Sequence, residues 1–125
     1  MILVDTSVWV DHLRAGDARL AALLDQAAVL AHPFVVGEIA CGSLADRAAV
    51  LELLAHLPMA VMAETDEVLG FIERQRLYGK GISYIDAHLL ASVALTHGAR
   101  LWTRDKRLAA AADELGCAHQ DSGAH

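Results

Sequence analysis

The chain opens Met1-Ile2-Leu3-Val4-Asp5-Thr6-Ser7, and the reading of those seven residues decides the fold. Three consecutive apolar residues suit a short buried strand, the habit of parallel sheets. An acid directly after it, followed by two hydroxyl residues, sets a carboxylate at the strand's carboxyl end, where open α/β sheets place their ligand sites. Working outward, 28–31 (Ala-Val-Leu-Ala), 59–62 (Met-Ala-Val-Met) and 100–103 (Arg-Leu-Trp-Thr) are further strand candidates. Helical patterns lie between them. Asp17 starts one with an apolar face of Leu20, Leu23, Leu24 and Ala27, and 45–57 carries another that Pro58 stops. Pro33 suits the first turn of a helix that includes Glu38. Thr65 caps a helix ending at Gly79, Ser83 caps one stopped at Gly98, and a last helix runs over about 105–115 before Gly116. Strands alternating with helices predict an α/β fold, with a short parallel sheet of about four to five strands flanked by helices. One domain over 1–125 is expected, with a polar, frayed tail from about 117.

Composition bounds the function. The chain has 125 residues, 55% of them hydrophobic, and can bury about two-thirds of its unfolded surface. Charged residues interrupt every apolar run before it reaches the roughly 20 residues of a membrane span. No basic segment precedes the first apolar run, so a signal peptide is not expected. Cys41 and Cys117 read as buried or free thiols in a reducing compartment, and the cytoplasm is the default. The net charge of −6 does not exclude a nucleic-acid substrate. Arg74, Arg76 and Lys80 precede Asp86, and Arg100, Arg104, Lys106 and Arg107 surround Asp105, so seven of the ten bases flank two acids. A basic rim of that kind can hold phosphates.

Four acids stand out: Asp5, Glu38, Asp86 and Asp105. Glu38 is the only charge in the stretch 33–42, and Asp86 lies in the apolar stretch 82–90. An acid in apolar surroundings is costly unless something compensates it. At about 5 Å and an effective dielectric of roughly 20, each like-charged pair repels by on the order of 3 kcal/mol. If the four meet, a hard divalent cation, Mg²⁺ or Mn²⁺, is the natural counter-charge. Each acid also has an ordinary reading. Asp5 and Asp105 suit helix N-caps, Glu38 a solvated stripe, and Ser83-x-x-Asp86 a reciprocal cap. Asp11, six residues after Asp5, is expected to face solvent. His88 and His97 read as helix-surface residues, and Trp9 and Trp102 as core. The seven histidines form no metal-binding spacing, and no phosphate-cradling glycine loop or nucleophile elbow occurs.

Val4-Asp5-Thr6-Ser7, Glu38 in a Pro-led helix, Tyr84-Ile85-Asp86-Ala87 and Thr103-Arg104-Asp105, in this order, resemble the PIN-domain ribonucleases. The nearest likeness is to the VapC-type toxins of toxin–antitoxin pairs, and it runs from Ile2 to about Leu115. The resemblance implies an α/β/α sandwich and a Mg²⁺- or Mn²⁺-dependent endoribonuclease held inactive by a cognate antitoxin. It also implies a homodimer. It maps the catalytic acids to Asp5, Glu38, Asp86 and Asp105, with Asp5, Asp86 and Asp105 as metal ligands. Thr103 would orient an acid or a phosphate oxygen, and Thr6, Ser7, Arg104 and Lys106 would meet RNA. The alternative weighed beside it is a phospho-acceptor receiver domain, which shares the length, sheet and acidic pocket. It lacks an acceptor Asp after 59–62, where Ala63-Glu64 stands.

Overall fold

The computed structural model describes residues 1–121. Seven helices and three strands are described: β1 (Ile2–Val4), α1 (Thr6–Ala15), α2 (Ala18–Asp25), β2 (Val29–Leu30), α3 (Pro33–Ala40), α4 (Arg47–His56), α5 (Thr65–Gln75), α6 (Tyr84–Leu95), β3 (Arg100–Trp102) and α7 (Lys106–Glu114). The sheet is parallel, in the order β2-β1-β3, with Ile2 beside Val29 and Arg100 and with Val4 beside Trp102. Leu3, Val4, Leu101 and Trp102 are at most 1% exposed, as strands covered on both faces must be.

The sheet is narrower than the sequence suggests. The 59–62 segment meets the ladder only through a bridge between Ala31 and Met59. Beyond it the Val61 amide turns to the Thr96 hydroxyl, and Val61 and Met62 lie exposed. The 117–121 segment, expected to fray, instead extends the other edge. The Leu101 amide donates to the Cys117 carbonyl, and the His119 amide donates to the Leu101 carbonyl. Residues 122–125 of the expected tail lie outside the described residues.

α1 packs on α3, α3 on α4, and α5 on α6, while α6 and α7 lie against β3. α6 is the central helix, buried continuously from Ala87 to Val93. α5 ends at Gln75 rather than Gly79, because Arg76 takes a left-handed backbone (φ 54°) that turns Leu77 into the core. Its first turn is capped from Glu64, whose amide donates to Glu67 Oε1, rather than from Thr65. Cys41 is exposed and Cys117 half-buried, both as free thiols. Among the described residues no helix is long and apolar enough to cross a membrane.

Candidate active site

β1 and β3 are neighbours and parallel, so the residues that follow them emerge side by side. The Asp5 amide donates to the Trp102 carbonyl (2.9 Å), locking the two exits together. Asp5 occupies the N-cap position of α1, yet its side chain makes no capping bond. Instead its Oδ2 accepts from Thr103 Oγ1 (2.7 Å) and Ser7 Oγ (3.0 Å). Asp5 is 7% exposed. Thr103 is itself buried, and its hydroxyl oxygen accepts the Asp105 amide (3.1 Å). Ser7 Oγ accepts the Arg104 amide (3.0 Å). Two hydroxyls thus stitch the start of α1 to the turn before α7.

Glu38 reaches this region from the far end of α3. Thr6, the first residue of α1, donates to Glu38 Oε1 (2.8 Å). Asp105 caps α7, its Oδ1 accepting the Arg107 and Leu108 amides. Asp86 and Ser83 cap α6 reciprocally, amide to side chain in both directions (3.1 Å each). Asp86 and Asp105 therefore both serve as helix caps. Partial burial pushes the Asp86 carboxyl above its usual range; the Ser83 bonds oppose this, and the charges of Asp5 and Asp105 add to it. Those two charges are felt at Asp86 because the three acids share one edge of the molecule.

None of the four acids forms a salt bridge among the described residues. Nor is any group of three or more His, Cys, Asp or Glu among those residues disposed as it stands to hold a metal ion. Each carboxylate is instead turned onto a hydroxyl or amide: Asp5 onto Thr103 and Ser7, Glu38 onto Thr6, Asp86 onto Ser83, and Asp105 onto the first amides of α7. The set nevertheless fits a hard divalent cation. It offers only carboxylate and hydroxyl oxygens, one acid is buried, and no cationic side chain neutralises them.

Arg104 does not face the acids. Its guanidinium donates to Asp121, Asp11 and Asp17 instead. Asp11, expected to be solvated, is one of its partners. Ser7 and Asp11 are spaced i, i+4, so the carboxylate lies one turn along the face that already holds the Arg104 amide. That spacing becomes a signal only once the structure has placed Arg104 beside Ser7. Asp121 carried none, since it belongs to a segment read as frayed. Lys106 is exposed, Lys80 pairs with Glu114, and Arg107 packs its guanidinium against Gly81, in the loop leading to Asp86. His88, expected on the surface, is 3% exposed, with Phe34 and Tyr84 edge-on at 4.7 Å each.

The PIN domain family matches this chain over residues 2–114. Ribonuclease VapC32 of Mycobacterium tuberculosis is 56% identical over 118 residues, 94% of this chain and 95% of that protein. VapC ribonuclease Mb1587 of Mycobacterium bovis is 33% identical over 84% of this chain and 87% of that protein. The fold is similar to the crystal structure of FitAcB from Neisseria gonorrhoeae, with a TM-score of 0.60 and 27% identity over 90% of this chain and 94% of that one. Nothing in these likenesses supports the receiver-domain alternative. With the acids at the carboxyl edge of a parallel sheet and likeness along nearly its whole length, the chain belongs to the PIN-domain family, as a VapC-type PIN ribonuclease.

Proposed function

We propose that the chain, as a single domain over 1–125, is the toxin of a toxin–antitoxin pair. It hydrolyses RNA phosphodiester bonds with Mg²⁺ or Mn²⁺ held by Asp5, Asp86 and Asp105. The observation that carries this reading is that Asp5 and Asp105 act on Asp86, with Glu38 tied to the start of α1 through Thr6, and that none of the four acids has an ion-pair partner among the described residues. A divalent cation there supplies the charge stabilisation that a phosphodiester transition state needs, together with an activated water. The chain's own residues set the geometry. Thr103 and Ser7 hold Asp5 in one orientation, and Thr6 does the same for Glu38, which stands farther out to orient water. Lys106 and Arg107, without ion-pair partners among the described residues, meet phosphates on either side of the scissile bond. Arg104, whose guanidinium is taken up by Asp121, Asp11 and Asp17, is not counted among them.

The partners proposed are RNA, a second copy of the chain and a cognate antitoxin, all in the cytoplasm. A groove of about 510 Å³ lined by Val10, Leu13, Ile39, Leu44 and Val50, with Glu38 also lining it, suits an antitoxin segment lying across the acids. Light scattering at micromolar concentration should give a dimer mass, and a monodisperse monomer would reject that part.

Purified protein freed of any partner should cut RNA at a few sites in Mg²⁺ or Mn²⁺ and stop in EDTA. Asp5→Ala and Asp86→Ala should abolish cleavage, and Glu38→Ala and Asp105→Ala should remove most of it. Cleavage that persists in EDTA, or an active Asp5→Ala variant, would sink the assignment.

A further inference from the structure

The densest ionic cluster among the described residues stands beside the acidic site rather than in it. Arg104 Nε donates to Asp121 Oδ2 (3.0 Å), Nη1 to Asp11 Oδ2 (2.8 Å) and Nη2 to Asp17. The guanidinium also lies over the Trp102 ring, 5.4 Å from its centroid. Arg19 closes the other side, paired with Asp17 and with Asp121 Oδ1 (2.8 Å). The Arg104 side chain is 23% exposed and Asp17 only 7%. The cluster joins four parts of the chain: α1 through Asp11, the cap of α2 through Asp17, the edge segment through Asp121 and the β3–α7 turn through Arg104. Burial acts to raise the Asp17 carboxyl, but Arg104 and Arg19 together hold it well below the usual carboxylate range.

Arg104 stands between Thr103 and Asp105, and its own amide is bound by Ser7 Oγ. The turn is therefore fixed at its backbone by one contact and at its side chain by three carboxylates. We propose that Arg104 is a positioning residue, a clasp that holds the Thr103–Asp105 turn against Asp5 rather than a phosphate contact. This rests on the ribonuclease reading. The planar guanidinium offers donors in a fixed fork, so it spans three acceptors where an ammonium cannot. Directed at Asp11, Asp17 and Asp121, its charge is also kept off the four site acids, which stay free to bind a cation.

Arg104→Lys is the test, because it keeps the charge and loses the fork. Amide hydrogen exchange at residues 104 and 105 should accelerate at least tenfold, while the β1 amides keep their protection. Cleavage of a short RNA in Mn²⁺ should show kcat down at least tenfold, KM within twofold and an unchanged salt slope. Asp121→Asn, at a side chain that bonds none of the four site acids, should move the same readings in the same direction by less, and it carries the test should Arg104→Lys fail to fold. A raised KM with kcat intact and a salt slope smaller by about one would make Arg104 a phosphate ligand and overturn the clasp. Unchanged exchange at 104 and 105 would overturn it as well. If the unmodified chain cuts no RNA, the ribonuclease reading falls, and exchange still decides whether the clasp exists.

Discussion

Asp5, 7% exposed, stands at the start of a helix that its side chain does not cap. Its compensation comes from two hydroxyls, and one of them, Thr103, is also the acceptor for the Asp105 amide. Thr103→Val keeps the shape and removes both bonds. A buried group left without its partner costs about 1–3 kcal/mol, so urea unfolding should show a loss of that size. Cleavage should fall well beyond what the lost stability explains, because Asp5 is no longer oriented. A Thr103→Val variant as stable and active as the parent would mean the hydroxyl only fills space. Asp86 behaves in the opposite sense. Burial disfavours its ionised form, and Asp5 and Asp105 add to the effect. Asp86→Asn keeps an oxygen for the Ser83 amide while deleting the charge. It should melt a few degrees higher than the parent in EDTA and cut no RNA. A lower melting temperature would show that the cap of α6 needs the charge more than the site suffers from it.

α3 carries Glu38, and its start is set by a buried histidine. His32 is wholly buried, its Nδ1 accepts the Phe34 amide (3.0 Å), and its Nε2 lies 3.0 Å from Ser92 Oγ. The cap therefore requires the neutral ring. Burial first, and then the nearby His88, lower its pKa to about 4. The folded chain then binds fewer protons than the unfolded chain between about pH 6.5 and pH 4. This stability is complete above pH 6.5, declines as the pH falls through that window and is gone below about 4, a span on the order of 3 kcal/mol. His88 and His119 are also lowered by burial and act in the same sense. His32→Asn, which keeps a capping oxygen, should flatten most of the decline in melting temperature from pH 6.5 to 4.5. An unchanged slope would assign it to the other two rings. At this scale three of the expected caps were readable, while Thr65 yields the cap of α5 to Glu64 and Asp5 turns its side chain away from α1. Asp17, Ser83 and Asp105 all accept helix amides where their spacing implied. Helix ends written in tertiary contacts were not readable: α5 stops at Arg76 because Leu77 has a core to enter, and 59–62 leaves the ladder because Thr96 takes its amide.

Over the whole molecule seven of the sixteen acids fall into two groups that differ in how they are compensated. Asp5, Glu38, Asp86 and Asp105 form no ion pair among the described residues, whereas Asp11, Asp17 and Asp121 are held by Arg104 and Arg19. The first group could be found in sequence because each acid follows a strand or interrupts an apolar helix. The second could not, since Asp11 and Asp17 lie 93 and 87 residues from Arg104 and nothing local links them. The difference in compensation makes a prediction for the folded state as a unit. A cation that binds only the folded chain stabilises it by mass action, by about 2.7 kcal/mol at one hundred times its dissociation constant. For a chain of this length that is a rise of roughly 10 °C in melting temperature. Mn²⁺ added to EDTA-treated protein should produce such a shift, and Asp5→Asn or Asp86→Asn should each remove most of it. The double variant should lose little more than either single one, because acids that share one ion do not act additively. Ca²⁺ should raise the melting temperature while supporting little cleavage, since its looser coordination positions water poorly. A melting temperature indifferent to Mn²⁺ would show that the four carboxylates do not converge on a cation, and the metal-dependent reading would have to be given up.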